Sequence, residues 1–333
     1  WETQSVSMDD CENFEELSPL QKYDAAIERI VKEAPIRICE GEKISGAATF
    51  GNAINHVVPA TFNGKPICYS ISHLTIDFET VLKKGVNHLL KQAEESLKEY
   101  KGTEKEPFVL SCLHCLNCMK IWHERYLSEL KNKSEYSKNF ENLQNVPFEP
   151  AKNFYEAVQS LWFTFAFIRL CGNWPGIGRI DYLLGDYLKK DLEDGSITID
   201  EAREILAHFF IKGCEWINGR FIGSGDAQHY QNIVLSGIDE DGNEVTNEVT
   251  YLVLDILEEL GISDFPTSIR LNKNILCIDL KSFFASCECI ARGLDPFKFP
   301  LVVANPEQGG GAITLAVTPY LKKQGVNFGY SRG

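Results

Sequence analysis

The run "CLHCLNC" at residues 112–118 is the arrangement that most directly suggests chemistry, because it spaces three cysteines as C-x2-C-x2-C. This spacing is typical of ligands to an iron–sulfur cluster, but the ferredoxin pattern requires a fourth cysteine followed by proline. Here "MKIWHERYL" follows instead. On a helix the three cysteines share one face, with Leu113 and Ile121 nearby, so small buried thiols explain them as well.

A second chemical signal lies in "ILCIDLKSFFASCE", residues 275–288. One acid, Asp279, stands in an apolar strand pattern, and the aromatic residues Phe283 and Phe284 follow at the start of a helical pattern. An acid at the end of a strand can hold Mg²⁺ beside a phosphate, but two-metal phosphoryl transfer needs at least one further carboxylate. The sequence therefore predicts a magnesium ligand at Asp279 without its partner acids.

Polar residues beside turns give further candidates. His73 and Asp77 flank a predicted helix start in "SHLTIDFE", where Asp77 could instead cap the helix and His73 could lie on the surface. Gln228 and His229 lie between a glycine loop and a strand in "GSGDAQHYQNI". Loops at strand ends often carry function. In "GNWPGIGRID", Gly176 indicates that the backbone runs close to another element or to a small substrate.

Mostly helical elements must position these residues. Strand patterns are fewer and shorter, and several precede a helix, which predicts a helix-rich α/β fold. Thr198 and Glu201 form a capping-box pattern at one helix start. The predicted helices are 78–101, 108–131, 153–171, 179–193, 200–217 and 247–260, and the predicted strands are 66–71, 230–238, 267–272, 275–280 and 300–305.

Composition limits the classes of function. The chain has 333 residues and a formal net charge of −14, which argues against general binding of nucleic acid. Eleven cysteines without an export signal favour reduced thiols, and no apolar run is long enough to cross a membrane. We therefore expect a cytoplasmic protein. Residues 274–333 carry six Lys/Arg and four Asp/Glu, a net charge of +2, so the tail differs from the acidic remainder.

Residues 153–216, which include "NWPGIGRIDYLLGDYL", resemble the glycyl-radical enzymes of the pyruvate formate-lyase family. The resemblance continues through "YQNIVLSGIDEDGNEV" and back to "ISHLTIDFETVLKKG" and "RIVKEAPIRICEGEKISG", and it covers about residues 15–272. It implies the N-terminal part of a β/α barrel of ten strands, whose centre holds a cysteine loop and a glycine loop.

The resemblance also implies a radical mechanism. In this family an activase generates a glycyl radical, which in turn forms a thiyl radical on a cysteine. Members of the family are lyases, dehydratases or formate acetyltransferases. Both radical residues lie beyond the matching region, so we expect this chain alone to be inactive. By position in its motifs, the resemblance implies substrate contacts from His73 and Asp77, and the loop pattern adds Gln228 and His229 as candidates. Asn173 and Trp174 stand where dehydratase-type members have a His-Ser pair, which leaves the substrate class open.

From Ile275 to about residue 325 the sequence resembles the first catalytic segment of Y-family, UmuC-like DNA polymerases, a strand–helix–strand–helix fragment of the palm. This resemblance implies Asp279 as a Mg²⁺ ligand and Phe284 as the steric gate against ribose. The other catalytic carboxylates of that family are missing from the chain, so DNA would be a partner only if this tail were functional.

The sequence thus predicts two segments, residues 1–273 and residues 274–333, with no linker between them. Three hypotheses follow: part of a glycyl-radical lyase or dehydratase acting on a small molecule, a translesion polymerase or DNA-repair fragment, or a chimeric chain with neither activity. The first implies a radical-generating activase as partner, and we expect a homo-oligomer. Uncovered strand edges predict that residues 1–273 self-associate.

Overall fold

The computed structural model describes residues 6–46, 60–67, 74–171, 175–213, 232–261, 266–270, 289–290, 292–295, 297–300, 302–304 and 314–324. The described residues form two compact units, one containing those up to residue 270 and the other those from residue 289 onward. The first unit is mainly helical, which confirms the prediction of a helix-rich α/β chain.

Nearly all the helices belong to the first unit. They are α1 (Pro19–Glu33), α2 (Phe78–Lys84), α3 (Val86–Glu99), α4 (Glu106–Leu130), α5 (Ser137–Asn145), α6 (Phe154–Leu170), α7 (Ile180–Glu193), α8 (Ile199–Gly213) and α9 (Glu248–Leu260), with short 3₁₀ turns at Phe14–Glu16 and Ser134–Tyr136. The strands of this unit are β1 (Val6–Ser7), β2 (Ala60–Phe62), β3 (Lys65–Pro66), β4 (Ile233–Ser236) and β5 (Thr267–Arg270).

Side-chain caps fix several helix starts. The predicted capping box at α8 is confirmed, because the Glu201 carboxylate accepts from the Thr198 backbone N–H at 2.8 Å and the Thr198 hydroxyl accepts from the Glu201 N–H at 3.3 Å. Ser18 and Gln21 form the same arrangement at α1. Each such cap contributes about 1 kcal/mol by satisfying N–H groups that a helix start leaves unpaired.

The sequence predicts a single helix over residues 78–101, and this prediction is wrong in one respect. The structure has two helices there, because Gly85 separates α2 from α3. Gly85 has φ of 76°, which a side chain would disfavour, and a Cβ there would overlap the Phe148 carbonyl oxygen. The Pro147 and Phe148 carbonyls accept from the first N–H groups of α3, those of Val86 and Asn87, at 2.9 and 3.0 Å. The segment that crosses the helix at this point therefore caps α3.

Helix α6 forms the centre of the first unit. Every residue in it except Tyr155 and Ile168 is buried, and it packs against α2, α5, α7 and α8. Aromatic pairs join it to its neighbours: the ring centroids of Trp122 and Phe163 lie 4.5 Å apart, and those of Trp162 and Phe209 lie 5.5 Å apart. Burial of these large rings supplies much of the hydrophobic stabilisation of the unit.

Four chain segments lie side by side in parallel orientation. Thr75 bridges Gly176, Gly178 bridges Ile233, and β4 pairs with β5 in the register Ile233 to Thr267. Helix α2 follows the first segment, α7 follows the second, and α9 joins β4 to β5. This is the repeating strand–helix arrangement of an α/β protein. We call these four segments the parallel array.

The remaining strands form two smaller sheets. In the first unit, β1 pairs in parallel with β2, and β2 turns at Asn63 and Gly64 to pair antiparallel with β3. In the second unit, β6 (Val302–Ala304) pairs antiparallel with β7 (Thr314–Val317), and α10 (Pro319–Lys323) follows. The predicted strand at 275–280 lies outside the described residues.

Candidate functional site

The two faces of the β4–β5 pair differ in chemistry. Ile233 and Leu235 point to one face and are fully buried in the core. Because side chains alternate along a strand and paired residues point the same way, Val234 and Ser268 lie together on the other face. We call this the open face, and its accessible members are Asn232, Val234, Ser268 and Arg270. Val234 is half-buried and the other three are exposed, whereas Ser236, which pairs with Arg270 on the same face, is buried.

The polar groups of the open face are mostly hydrogen-bond donors. The Ser268 hydroxyl donates to the Asn232 side-chain oxygen at 3.3 Å, which leaves the Asn232 amide nitrogen as a donor. Arg270 adds a guanidinium, which only donates. None of the four members is an acid. The face therefore offers positive charge and N–H groups to a ligand.

Close backbone approach holds the neighbouring segments of the array. The Gly176 N–H donates to the Leu74 carbonyl at 3.0 Å, and a Cβ at Gly176 would lie 2.6 Å from the Thr75 hydroxyl oxygen. Any side chain at position 176 would displace the segment around Thr75. This confirms the prediction that this glycine serves close approach.

Buried polar contacts fix the carboxyl end of β4. The Asp181 carboxylate is fully buried and accepts from the Ser236 N–H at 2.6 Å and from the Thr250 hydroxyl at 2.7 Å. The Arg179 guanidinium donates to the Ser236 carbonyl at 3.1 Å and to the Ile238 carbonyl at 2.8 Å. Together these contacts tie β4 to the starts of α7 and α9.

Asp77 lies at the start of α2, where the sequence allowed either a cap or a substrate contact. One carboxylate oxygen accepts from the Thr80 N–H at 3.0 Å and the other from the Thr80 hydroxyl at 2.7 Å. These two hydrogen bonds hold the pKa of the Asp77 carboxyl below its ordinary value. The structure gives Asp77 a capping role, and its contact with a substrate stays a prediction.

The other predicted substrate contacts are His73, Asn173, Trp174, Gln228 and His229, and all of them lie outside the described residues. Residues 73 and 174 directly precede residues 74 and 175, where the first two segments of the parallel array begin. Gln228 and His229 precede Asn232, at the amino end of β4, by a few residues. All five residues therefore come, in the sequence, shortly before a residue at which a segment of the array begins.

The three cysteines of "CLHCLNC" lie on α4, and Cys118 is almost fully buried. Burial raises the pKa of the Cys115 and Cys118 thiols to about 12 and raises that of Cys171 well above its ordinary value. Such thiols stay protonated at neutral pH and are poor nucleophiles. The alternative of buried structural thiols therefore fits the geometry better than an iron–sulfur cluster.

No metal centre forms among the residues that the structure describes, because no three of their His, Cys, Asp and Glu side chains are placed to hold an ion. Asp279 and Phe284, which the sequence assigned to a magnesium site and a steric gate, lie outside the described residues. Magnesium binding by this chain therefore stays a prediction without support.

The sequence does not predict the polar face of β5. Residues 267–272 predict only a short apolar strand, although Ser268 and Arg270 alternate with Thr267 and Ile269. That alternation is the signal of a strand with one polar face. Which face is polar, and what lies beside it, depends on the pairing with β4, which is not visible in one sequence.

Comparison with known proteins identifies relatives for most of the chain. The family described as pyruvate formate lyase-like (PFL-like) matches residues 53–294. Isethionate sulfite-lyase of Desulfovibrio desulfuricans is 31% identical over 210 residues, which cover 56% of this chain and 25% of that enzyme. Trans-4-hydroxy-L-proline dehydratase of Clostridioides difficile is 25% identical over 227 residues, 60% of this chain and 28% of that enzyme. The chain thus spans about a quarter of the length of these curated relatives.

Solved structures share the fold. A structure of 1,2-propanediol dehydration in Roseburia inulinivorans superposes with a TM-score of 0.68 at 20% identity, covering 81% of this chain and 45% of that protein. The chain therefore has neighbours in the fold of glycyl-radical enzymes. None of its described helices is long and apolar enough to cross a membrane.

The polymerase interpretation of the tail receives no support from these comparisons. The family match continues to residue 294, past the boundary that the sequence analysis placed at residue 273. The structure describes only short pieces of the tail, and these include neither Asp279 nor Phe284. We therefore do not develop this alternative further.

Proposed function

Because the chain belongs to the pyruvate formate lyase-like family, we propose that it forms part of a glycyl-radical lyase or dehydratase that acts on a small molecule. The observation that carries the proposal is the family match over residues 53–294, which includes the whole described parallel array. The chain covers only part of its relatives, so the activity is proposed for a protein that contains these residues.

Such an enzyme uses a glycyl radical to supply one-electron chemistry. The proposed role of this chain is to bind and orient the substrate. We propose His73, Asn173, Trp174, Gln228 and His229 as substrate contacts, and their common position in the sequence before amino ends of the array supports this grouping. Among the described residues, Ile233 and Leu235 hold β4 of the array in position, because their side chains are buried in the hydrophobic core.

The proposal includes a radical-generating activase as partner, a homo-oligomeric assembly and a cytoplasmic, anoxic setting. Anoxia matters because an organic radical reacts with oxygen. The low reactivity expected of the half-buried Cys115 thiol and of the buried Cys118 and Cys171 thiols agrees with a structural role for them, and we assign none of them as the thiyl residue.

The test is anoxic expression of the complete reading frame together with a radical-generating activase. We expect an organic-radical signal in the electron paramagnetic resonance spectrum and consumption of at least one compound from a panel of small alcohols, hydroxy acids and hydroxysulfonates. The 333-residue chain alone is the control, and we expect no radical on it. A complete protein that forms no radical and consumes nothing in the panel would refute the proposal.

A further inference from the structure

We propose that the cluster of titratable groups between residues 39–46 and helix α8 is a pH-sensitive latch. It holds these residues against α8 at neutral pH and loosens them when the His208 ring takes up a proton. We call residues 39–46 the latch segment. The inference goes beyond the proposed function and does not depend on it, because it concerns contacts within the first unit and involves neither a substrate nor a radical.

Neutral side chains hold the carboxyl-terminal end of the latch segment. The Gln159 side-chain oxygen accepts from the Ser45 N–H at 2.8 Å, and the Gln159 amide donates to the Ser45 carbonyl at 2.8 Å. The Trp162 indole N–H donates to the Gly46 carbonyl at 3.0 Å. Amide and indole groups keep their charge between about pH 5 and 8, so this end of the segment is insensitive to pH.

The contacts of the latch segment with α8 are ionic. The Glu42 carboxylate pairs with the Lys212 ammonium at 2.8 Å, and both side chains are nearly fully buried, at 3% and 4% exposed. The Lys43 ammonium pairs with the exposed Glu204 carboxylate at 2.8 Å. Two acids thus balance two cations. A further charge at this contact would act strongly on the buried pair, because little water surrounds that pair to screen the field.

His208 lies between these two ion pairs. On α8 it follows Glu204 by one turn and precedes Lys212 by one turn, so all three side chains share one face of the helix. The Lys43 backbone N–H donates to the Nδ1 atom of His208 at 3.5 Å. A ring nitrogen can accept only while it carries no proton, so this contact requires the neutral ring.

The elements around His208 leave it as the group that titrates near neutral pH. Among the described residues, the charged groups that act on the ring are members of the two ion pairs: Lys43, Glu204 and Lys212. From α6, the Tyr155 hydroxyl donates to the Lys43 carbonyl at 2.5 Å, and burial raises the pKa of Tyr155, so the phenol stays neutral. From α9, Glu259 is paired with Arg203.

Protonation of His208 opposes the held state in two ways. It removes the acceptor of the Lys43 N–H, and it adds a third positive charge beside Lys43 and Lys212. Burial of the ring, followed by the charge of Lys43, holds the pKa of His208 below its ordinary 6.5 while the segment is in place. The held state therefore binds the proton more weakly than an open state with the ring in water. The advantage of the held state is fully present above pH 6.5 and is lost as the pH falls from there through the lower held-state value.

Hydrogen exchange of the 333-residue chain, followed by mass spectrometry, measures how often the latch segment opens. Exchange of a peptide that contains residues 39–46 is compared at about pH 7.5 and about pH 5.5, normalised to the intrinsic rate at each pH. We expect its protection to fall by about threefold or more at the lower pH, while a peptide from the buried helix α6 changes less. His208→Gln, whose side-chain oxygen can accept from Lys43 but cannot take up a proton, should abolish this fall.

His88→Gln is the matched control, because it removes an exposed histidine of the same unit, on α3. We expect it to keep the pH dependence of wild type. The proposal is overturned if protection of the latch segment is the same at both pH values or if His208→Gln keeps the wild-type fall. It is also overturned if α6 loses protection to the same extent, since that would be global unfolding. Circular dichroism checks that each variant is folded.

Titration of the His208 ring by NMR tests the latch in the wild-type chain itself. We expect the ring to titrate below its ordinary pKa of 6.5. In Lys43→Met the ring should titrate closer to 6.5, because this variant removes the ammonium that acts most strongly on it. A wild-type ring that titrates at or above 6.5 would overturn the proposal, because its protonation would then not oppose the held state.

Discussion

Asp77 shows how one residue can carry a functional signal in the sequence and a structural role in the fold. Its carboxylate accepts two hydrogen bonds from Thr80 and thereby satisfies an N–H group at the start of α2. Its position beside His73 suggested a substrate contact, but acids at helix starts are commonly caps. Each Asp77 oxygen accepts one of these bonds and keeps a further lone pair, so the cap is established and a contact with a substrate stays a prediction.

We predict that Asp77→Ala lowers the free energy of unfolding by about 1 kcal/mol at neutral pH. Hydrogen bonds from Thr80 lower the pKa of the folded-state carboxyl from the ordinary 3.8. The contribution of Asp77 is therefore fully present above pH 3.8 and is lost as the pH falls through the lower folded-state value. Urea unfolding of the two proteins at a series of pH values measures this difference.

Asp77→Asn is the control, because asparagine caps helices about as well as aspartate without ionising. Its stability should stay close to that of wild type at neutral pH. An alanine variant as stable as wild type at pH 7 would contradict the capping role.

At the scale of elements, the sequence predicts most of the first unit well. Predicted helices correspond to α4, α6, α7, α8 and α9 within a few residues at each end, because each has a periodic apolar face and several have polar caps. The division between α2 and α3 could not be predicted. It depends on Phe148, some sixty positions along the chain, whose carbonyl occupies the space that a side chain at Gly85 would need.

The candidate site was predicted less completely, for a related reason. The type of a side chain indicates its possible chemistry, so His73 or His229 can be proposed as a site residue from a short sequence pattern. Such a pattern does not show which residues lie close together in the fold. The position of the Arg270 side chain depends on pairing with Ser236 across the β4–β5 register and on the absence of a side chain at Gly237. These are contacts between segments about thirty residues apart.

We predict that Gly85→Ala destabilises the protein by more than Gly102→Ala does. Both glycines have φ of 76°, so alanine at either position is strained by about 1–3 kcal/mol. A Cβ at Gly102 meets no atom within 4 Å, whereas one at Gly85 overlaps the Phe148 carbonyl and would break its hydrogen bond with Asn87. Thermal and urea unfolding of the two variants compare the effects directly.

The Gly102 variant shares the positive φ but not the close contact, so the difference between the two variants measures the close approach together with the effect of the ψ of 162° at Gly85. Equal destabilisation would mean that the segment around Phe148 can move away at little cost. In that case the boundary between α2 and α3 would be set by the conformation of Gly85 and not by the crossing segment.

At the scale of the whole molecule, the family match and the described fold agree on an α/β protein with a parallel array of segments. Strand β5 is the last described member of this array. Its Ile269 pairs with the fully buried Leu235 of β4 but is 43% exposed. Exposed apolar side chains on strands are a common cause of association between chains.

We therefore predict that the 333-residue chain self-associates in solution and that Ile269→Lys reduces this association, because a charge in place of an exposed apolar side chain disfavours its burial against another chain. Light scattering coupled to size-exclusion chromatography measures the mass of each species. Tyr251→Lys is the matched control, since it places lysine at another exposed apolar position, 62% exposed, on helix α9. Association through the Ile269 side chain requires the Ile269 variant to shift toward the monomer while the Tyr251 variant does not. A monomeric wild-type chain, or an equal shift in both variants, would exclude association through Ile269.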